Sequence, residues 1–167
     1  MVELVVTYMQ LLTRPGGAPL APPAPYAAIA RVVPSVADYL SLYRSVGEAV
    51  QWDSRLRMPQ AQLAQWLTAA TSDVHVLLLR GRPVGLCEFD AADAPNVELT
   101  HFGLTPKAQG QGLGRYLLDH ALRACWSDRA PSRIWLRTDE NDHPSAARVY
   151  AKAGFAAYRR QIEFFAD

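Results

Sequence analysis

Three glycines stand at alternate positions in Gln109-Gly110-Gln111-Gly112-Leu113-Gly114-Arg115, where an apolar helical pattern begins. Each glycine in a helix forgoes about 1 kcal/mol relative to alanine, less in the frayed first turn, so up to about 3 kcal/mol of propensity is given up here. A strand-to-helix turn that needs positive φ usually takes one glycine. Three suggest instead that side chains are missing so that an anion can touch the backbone N–H groups at the positive end of the helix. A P-loop is disfavoured because Arg115-Tyr116 follows the last glycine where Lys and Ser/Thr would be needed. A dinucleotide fingerprint is disfavoured by the G-x-G-x-G spacing and its place late in the chain.

Other reactive side chains give weaker signals. Cys87 and Cys125 each lie in an apolar pattern, with no CxxC and no Cys/His cluster, so neither a disulfide framework nor a metal site is indicated and both cysteines read as core. His101 is an isolated strand histidine that could relay a proton or serve as a hydrogen-bonded structural residue. The 17 Lys+Arg nearly balance the 16 Asp+Glu, which argues against bulk attraction to nucleic acid or anionic lipid and for a small or specific partner. The apolar start MVELVVTYMQLL has Glu3 in place of a basic leader and is short for a membrane span, so a cytoplasmic protein is expected.

The elements that must position these residues alternate between periods of two and 3.6. Val2 to Leu11 reads as a strand, and Arg14 to Pro25, with five of the 12 prolines, as an extended connector inside one domain spanning 1–167. A strand from Ala27 to Val33 precedes a helix capped by Ser35, with Val36, Tyr39, Leu40 and Tyr43 on one face. A second helix follows from Pro59. Strands at Val74–Arg80 and Pro83–Asp90 meet at a hairpin signal, Gly81-Arg82. Then come a strand at Asn96–Leu104, a helix at Gly112–Trp126, a strand from Arg133, a helix from His143 closed by Gly154, and a last strand ending in QIEFF. The first and last strands are possible dimer edges, leaving a monomer or a homodimer open.

The glycine segment, preceded by a strand at the usual offset, resembles the Q/R-x-x-G-x-G/A motif of the GNAT superfamily of acyl-CoA-dependent N-acyltransferases. Val149-Tyr150-Ala151-Lys152-Ala153-Gly154-Phe155 is similar to that family's later helix-and-strand signature. The resemblance covers about Pro83 to the end. It implies an α/β fold of three layers, α-β-α, around a largely antiparallel mixed sheet of about seven strands that splays at the acyl-CoA site.

It also implies roles. Acetyl-CoA would pair its pantetheine arm with the main chain of Phe102, Gly103 and Leu104 and lay its pyrophosphate on Gln109 to Arg115. The family commonly has Asn where this chain has His143, whose imidazole can still hydrogen bond, and Asn141 stands nearby as a substitute. A lysine-type amine is neutral about once in 2,500 molecules at pH 7, worth roughly 4 to 5 kcal/mol of barrier, so a base near the thioester is expected. Glu98 occupies the family's position for it, and Glu88 is the reserve. Tyr150 matches the tyrosine that protonates the departing thiolate.

Acceptor recognition would fall to Tyr43, Trp52, Asp53, Arg55 and Arg57 around the upstream turn, with Glu88 and His101 beside them; a solvated loop against a core tryptophan accounts for that turn equally well. The implied reaction is direct acetyl transfer to a primary amine of a small molecule or a specific protein. Its rival is a non-catalytic acyl-CoA-binding regulatory module on the same fold.

Overall fold

The computed structural model describes residues 1–166. Seven strands form one sheet in the order β2-β3-β4-β5-β6-β1-β7, comprising β1 (Val2–Leu11), β2 (Ala27–Val32), β3 (Ser72–Leu79), β4 (Arg82–Asp90), β5 (Asn96–Leu104), β6 (Arg133–Asp139) and β7 (Ala156–Phe165). Every neighbouring pair is antiparallel except β5 and β6. That parallel pair needs a crossover, which α4 (Leu113–Arg129) supplies.

Helices cover both faces. Leu113, Leu117, Leu118, Ala121, Leu122 and Cys125 of α4 are at most 1% exposed and pack with Val97, Leu99 and Ile134 of the sheet; Tyr150, on α5 (Ala146–Ala153), belongs to the same cluster. The opposite face carries α1 (Val36–Gly47) and α3 (Gln60–Thr68), whose Tyr39, Tyr43, Leu63 and Leu67 pack on Val74, Val76 and Leu86. The expected three-layer mixed fold is therefore the one observed. Ser35 caps α1 through Oγ, which accepts from the Asp38 amide at 3.1 Å.

Four details differ from the sequence reading. The β3–β4 turn sits on Arg80-Gly81, one residue early, because a two-residue hairpin loop of this hand needs positive φ twice, and these residues have φ of 50° and 77°. A 3₁₀ turn at Glu48–Val50 and a short helix α2 (Ser54–Arg57) interrupt the expected loop. Helix α5 starts at Ala146, leaving His143 and Pro144 in the approach to it. Finally, β1 is no edge: it lies between β6 and β7, so the sheet edges are β2 and β7.

Placing β1 there obliges the proline connector to cross the α4 face. Arg123, paired with Asp119 at 3.1 Å, donates to the carbonyls of Gly16, Gly17 and Ala18, and Asp119 Oδ2 accepts from the Leu20 amide at 3.0 Å. The connector is thus tied to α4 by these hydrogen bonds. Among the described residues no helix is long and apolar enough to cross a membrane.

Candidate active site

The site begins where two strands part. β5 and β6 pair only over Asn96–Arg133, Val97–Ile134 and Glu98–Trp135; beyond that point β6 follows β1 while β5 stays with β4. One edge of β5 is therefore left without a strand partner. The Thr105 amide donates to the Val84 carbonyl, on the β4 side, at 2.8 Å. By alternation the main-chain groups of Phe102 and Leu104 face the gap. The Leu104 carbonyl there accepts from Gln109 Nε2 at 3.2 Å, consistent with that reading.

A cleft of about 550 Å³ fills the gap, lined by Phe102, Gly103, Leu104, Gln109, Gly110, Gly112, Gly114 and Arg115 on one side and by Asp142, His143, Ser145, Arg148, Tyr150 and Lys152 on the other. Gly112 is the N-cap of α4, with no side-chain cap, so the first amides of the helix open towards the cleft. The glycines are not equivalent. Gly110 and Gly112 have φ of 78° and 76°, the left-handed region that disfavours any Cβ, whereas a Cβ on Gly114 would meet Leu104 and Phe102 at ordinary contact distances of 3.6 and 3.7 Å. Two glycines thus serve the turn. Only the third is bare without a backbone reason.

Arg115, Arg148 and Lys152 bring positive charge to the rim, and among the described residues they form no ion pair. The sequence reading missed Arg148, Lys152, Asp142 and Ser145. The signal that could have found the first two is their i,i+4 spacing beside Tyr150, which puts both on one face of α5. His143 Nδ1 accepts from the Ser145 amide at 3.1 Å, which leaves the neutral ring's proton on Nε2. Burial pushes the Asp142 carboxyl above its ordinary range, and burial followed by the Asp142 charge pushes the Tyr150 phenol well above its own. Tyr150 packs against Phe102 at a ring distance of 5.7 Å.

The other side of β5 holds a polar cluster. A bulge opposite Glu88/Phe89 makes Thr100 an extra residue, so Phe102 and Leu104 join Val97 and Leu99 on the α4 side while Thr100 and His101 both reach the α1 side. Glu88, fully buried, accepts from Thr100 Oγ1 at 2.9 Å, Tyr39 OH at 2.7 Å and Arg55 Nη2 at 3.1 Å, and pairs with His101 Nδ1. Burial alone would raise this carboxyl; the His101 imidazole, the Arg55 guanidinium and the Tyr39 hydroxyl outweigh it and hold the pKa at about 2. Because the carboxylate can only accept, Nδ1 of His101 donates and its Nε2 is turned to Tyr43 OH at 3.3 Å and Ser54 Oγ at 3.4 Å. Trp52 joins the two halves: it contacts His101 at a ring distance of 4.8 Å and also lines the cleft.

Several anticipated residues lie elsewhere. Leu113 is 1% exposed in the core, Gln111 turns its side chain to the Lys107 carbonyl, and Asn141 is not in the cleft lining. Tyr43 is fully buried and Arg55 is 7% exposed, stacked 4.0 Å over Trp66, so neither forms a loop wall. The exposed Asp53–Arg57 pair, 2.7 Å apart, belongs to the surface of α2. Glu98 sits on a central strand and outside the cleft lining, facing Asp90 across the β4–β5 pair; burial raises its pKa, opposed by Arg137. Burial also raises both thiols, that of Cys125 to about 12, which suits their place in the core.

Residues 37–155 match the acetyltransferase (GNAT) family. The chain belongs to this family. Several GNAT structures are similar to it in fold. A GCN5-related N-acetyltransferase from Sphaerobacter thermophilus superposes with a TM-score of 0.66 at 19% identity, covering 94% of this chain and 49% of that one. A tandem GNAT protein from the clavulanic acid biosynthesis pathway gives 0.68 at 16%, covering 95% and 52%. The chain thus spans about half the length of both. An aminoglycoside acetyltransferase from an uncultured soil metagenomic sample, in complex with trehalose, gives 0.67 at 17% identity and is covered over 96% of its length, with 85% of this chain. No curated protein matches the sequence closely.

Proposed function

We propose that the domain moves an acetyl group from acetyl-CoA to a primary amine, and the observation that carries the reading is that the free edge of β5 and the glycine turn at the start of α4 line one cleft. The cleft fits the carrier: main-chain groups of Phe102 and Leu104 face it as a strand partner would need, Gly114 leaves it open, and three cations rim it for phosphate groups. When bound, acetyl-CoA would supply the activated thioester. Gln109, Gly110, Gly112 and Arg115 would hold its pyrophosphate, with Arg148, Lys152 and His143 around the remaining polar groups.

The protein's own groups then handle two protons. His101, which like Glu98 lies outside the cleft lining, would accept the proton of the incoming ammonium from behind Trp52, because Glu88 fixes its tautomer and leaves Nε2, beside Tyr43 OH and Ser54 Oγ, as the acceptor nitrogen. Glu98, on the same side of β5, would set the field of that region. Tyr150, neutral and at the cleft, would give its hydroxyl proton to the departing sulfur.

Acetyl-CoA consumption with a panel of small amines and lysine peptides tests the reading. Turnover is expected for wild type, with kcat reduced at least tenfold in His101→Gln and Tyr150→Phe and less in Glu98→Gln. Tight coenzyme A binding without turnover of any amine would favour a non-catalytic binding module. Thermal protection by ATP or NAD but not by coenzyme A would defeat both.

A further inference from the structure

The two sheet edges are built differently. β2 has six residues and is bracketed by Pro25 and Pro34, which limit any further strand to that short stretch. β7 has ten residues, contains no Pro, Gly or Lys, and is irregular only near its start, where the β1 register shifts between Tyr8 and Met9. Its outer edge therefore offers alternate amides and carbonyls to a partner, and Ile162 and Phe164 are 59% and 60% exposed on one of its faces.

We propose that β7 pairs antiparallel with β7 of a second copy of this chain, about a two-fold axis through Gln161. A continuous sheet with the axis normal to it sets one residue opposite its own copy, and the charges on β7 select which. With Gln161 at the centre, Arg159 lies opposite Glu163 of the other copy, twice over, and Arg160 lies opposite Ile162, where its aliphatic stem can cover the exposed side chain. Centring on Arg160 instead sets Arg159 against Gln161, and centring on Ile162 sets it against Phe165. Only one register pairs every charge at these two positions. Arg159 and Glu163 share the face of Tyr8, with Arg159 4.2 Å over its ring and Glu163 accepting its hydroxyl, so both lie on one face of β7, as the cross-pairing requires. The dimer continues the sheet across both copies and lies away from the cleft.

Light scattering on a sizing column is expected to give twice the 18.4 kDa chain mass for wild type. Arg159→Glu alone sets Glu against Glu163 and Glu163→Arg alone sets Arg against Arg159, so each should run as a monomer, with circular dichroism and melting confirming that it is folded. Mixing the two single variants re-pairs opposite charges at both contacts and should restore the dimer as a heterodimer. A monomeric wild type at high micromolar concentration overturns the proposal, as does a dimer indifferent to the single reversals or a mixture that stays monomeric.

Discussion

The two sides of β5 solve the same problem with different materials. On the α4 side the cleft is made of main-chain groups and absent side chains: a free strand edge, two left-handed glycines and the uncapped start of a helix. On the α1 side, one fully buried carboxylate gathers a guanidinium, a phenol, a hydroxyl and an imidazole from three separate elements, α2, α1 and β5. The first arrangement is local in sequence and tolerant of side-chain identity. The second depends on every partner being present, because a charge left alone in the interior is far costlier than a missing contact.

That difference should show most strongly in stability. Glu88→Gln removes the anion and leaves Arg55 buried without a counter-charge, and urea unfolding should show a loss of about 3 to 5 kcal/mol. The double variant Glu88→Gln/Arg55→Met should recover part of it. If Glu88→Gln were neutral, the cluster would be no more structural than the glycine turn.

A second buried group marks the same principle through pH. His75 is 2% exposed, its Nδ1 has no hydrogen-bond partner among the described residues, and burial lowers its pKa to about 4, with Asp73 opposing. The unfolded chain takes up this proton near pH 6.5, whereas the folded one resists until about 4, so stability should fall as pH drops through that window. The full loss is about 3 kcal/mol, read as an acid-side decline in unfolding free energy that His75→Phe flattens. Glu88, held at about 2, contributes its own loss below its ordinary range near 4.5, a separate and more acidic window.

The glycine turn predicts smaller effects of opposite sign. Gly112→Ala forces a side chain into φ of 76° and should cost about 1 kcal/mol or more. Gly114→Ala has an ordinary helical environment and should be neutral or stabilising by up to about 1 kcal/mol. Calorimetry with coenzyme A should nevertheless show weaker binding for both, by about tenfold for Gly114→Ala, if the missing side chain serves the ligand and not the fold. The smallest effect is expected for Lys152→Ala and Arg148→Ala, a few-fold loss of coenzyme affinity at low salt that fades as salt screens the rim.

Much of the fold was legible because its signals are local. The Leu113-to-Cys125 stripe, the Ser35 cap and the Gly154 terminus each follow from residues within a turn or two of one another. The place of β1 was not, since a strand's neighbours are chosen by long-range pairing and nothing in Val2–Leu11 states that it lies between β6 and β7. Within the site, the glycine segment was found from its own spacing, and Phe102, Leu104, His143 and Tyr150 from the family resemblance; all of these line the cleft except Gln111 and Leu113. Tyr39, Arg55 and Glu88 could not be joined by inspection, because positions 39, 55 and 88 meet only when α1, α2 and β4 pack.

What the sequence determined alone is the main-chain part: which segments are helix or strand, where the backbone turns left-handed, and where a helix start is left bare. These depend on backbone sterics and on neighbours within a few residues. What only the tertiary structure decided is the side-chain part: that β5 parts from β6 after Glu98, that a bulge turns His101 to the α1 side, and that Glu88 orients it. Those facts are set by the register between distant strands, and a shift of one residue there would send every side chain to the opposite face.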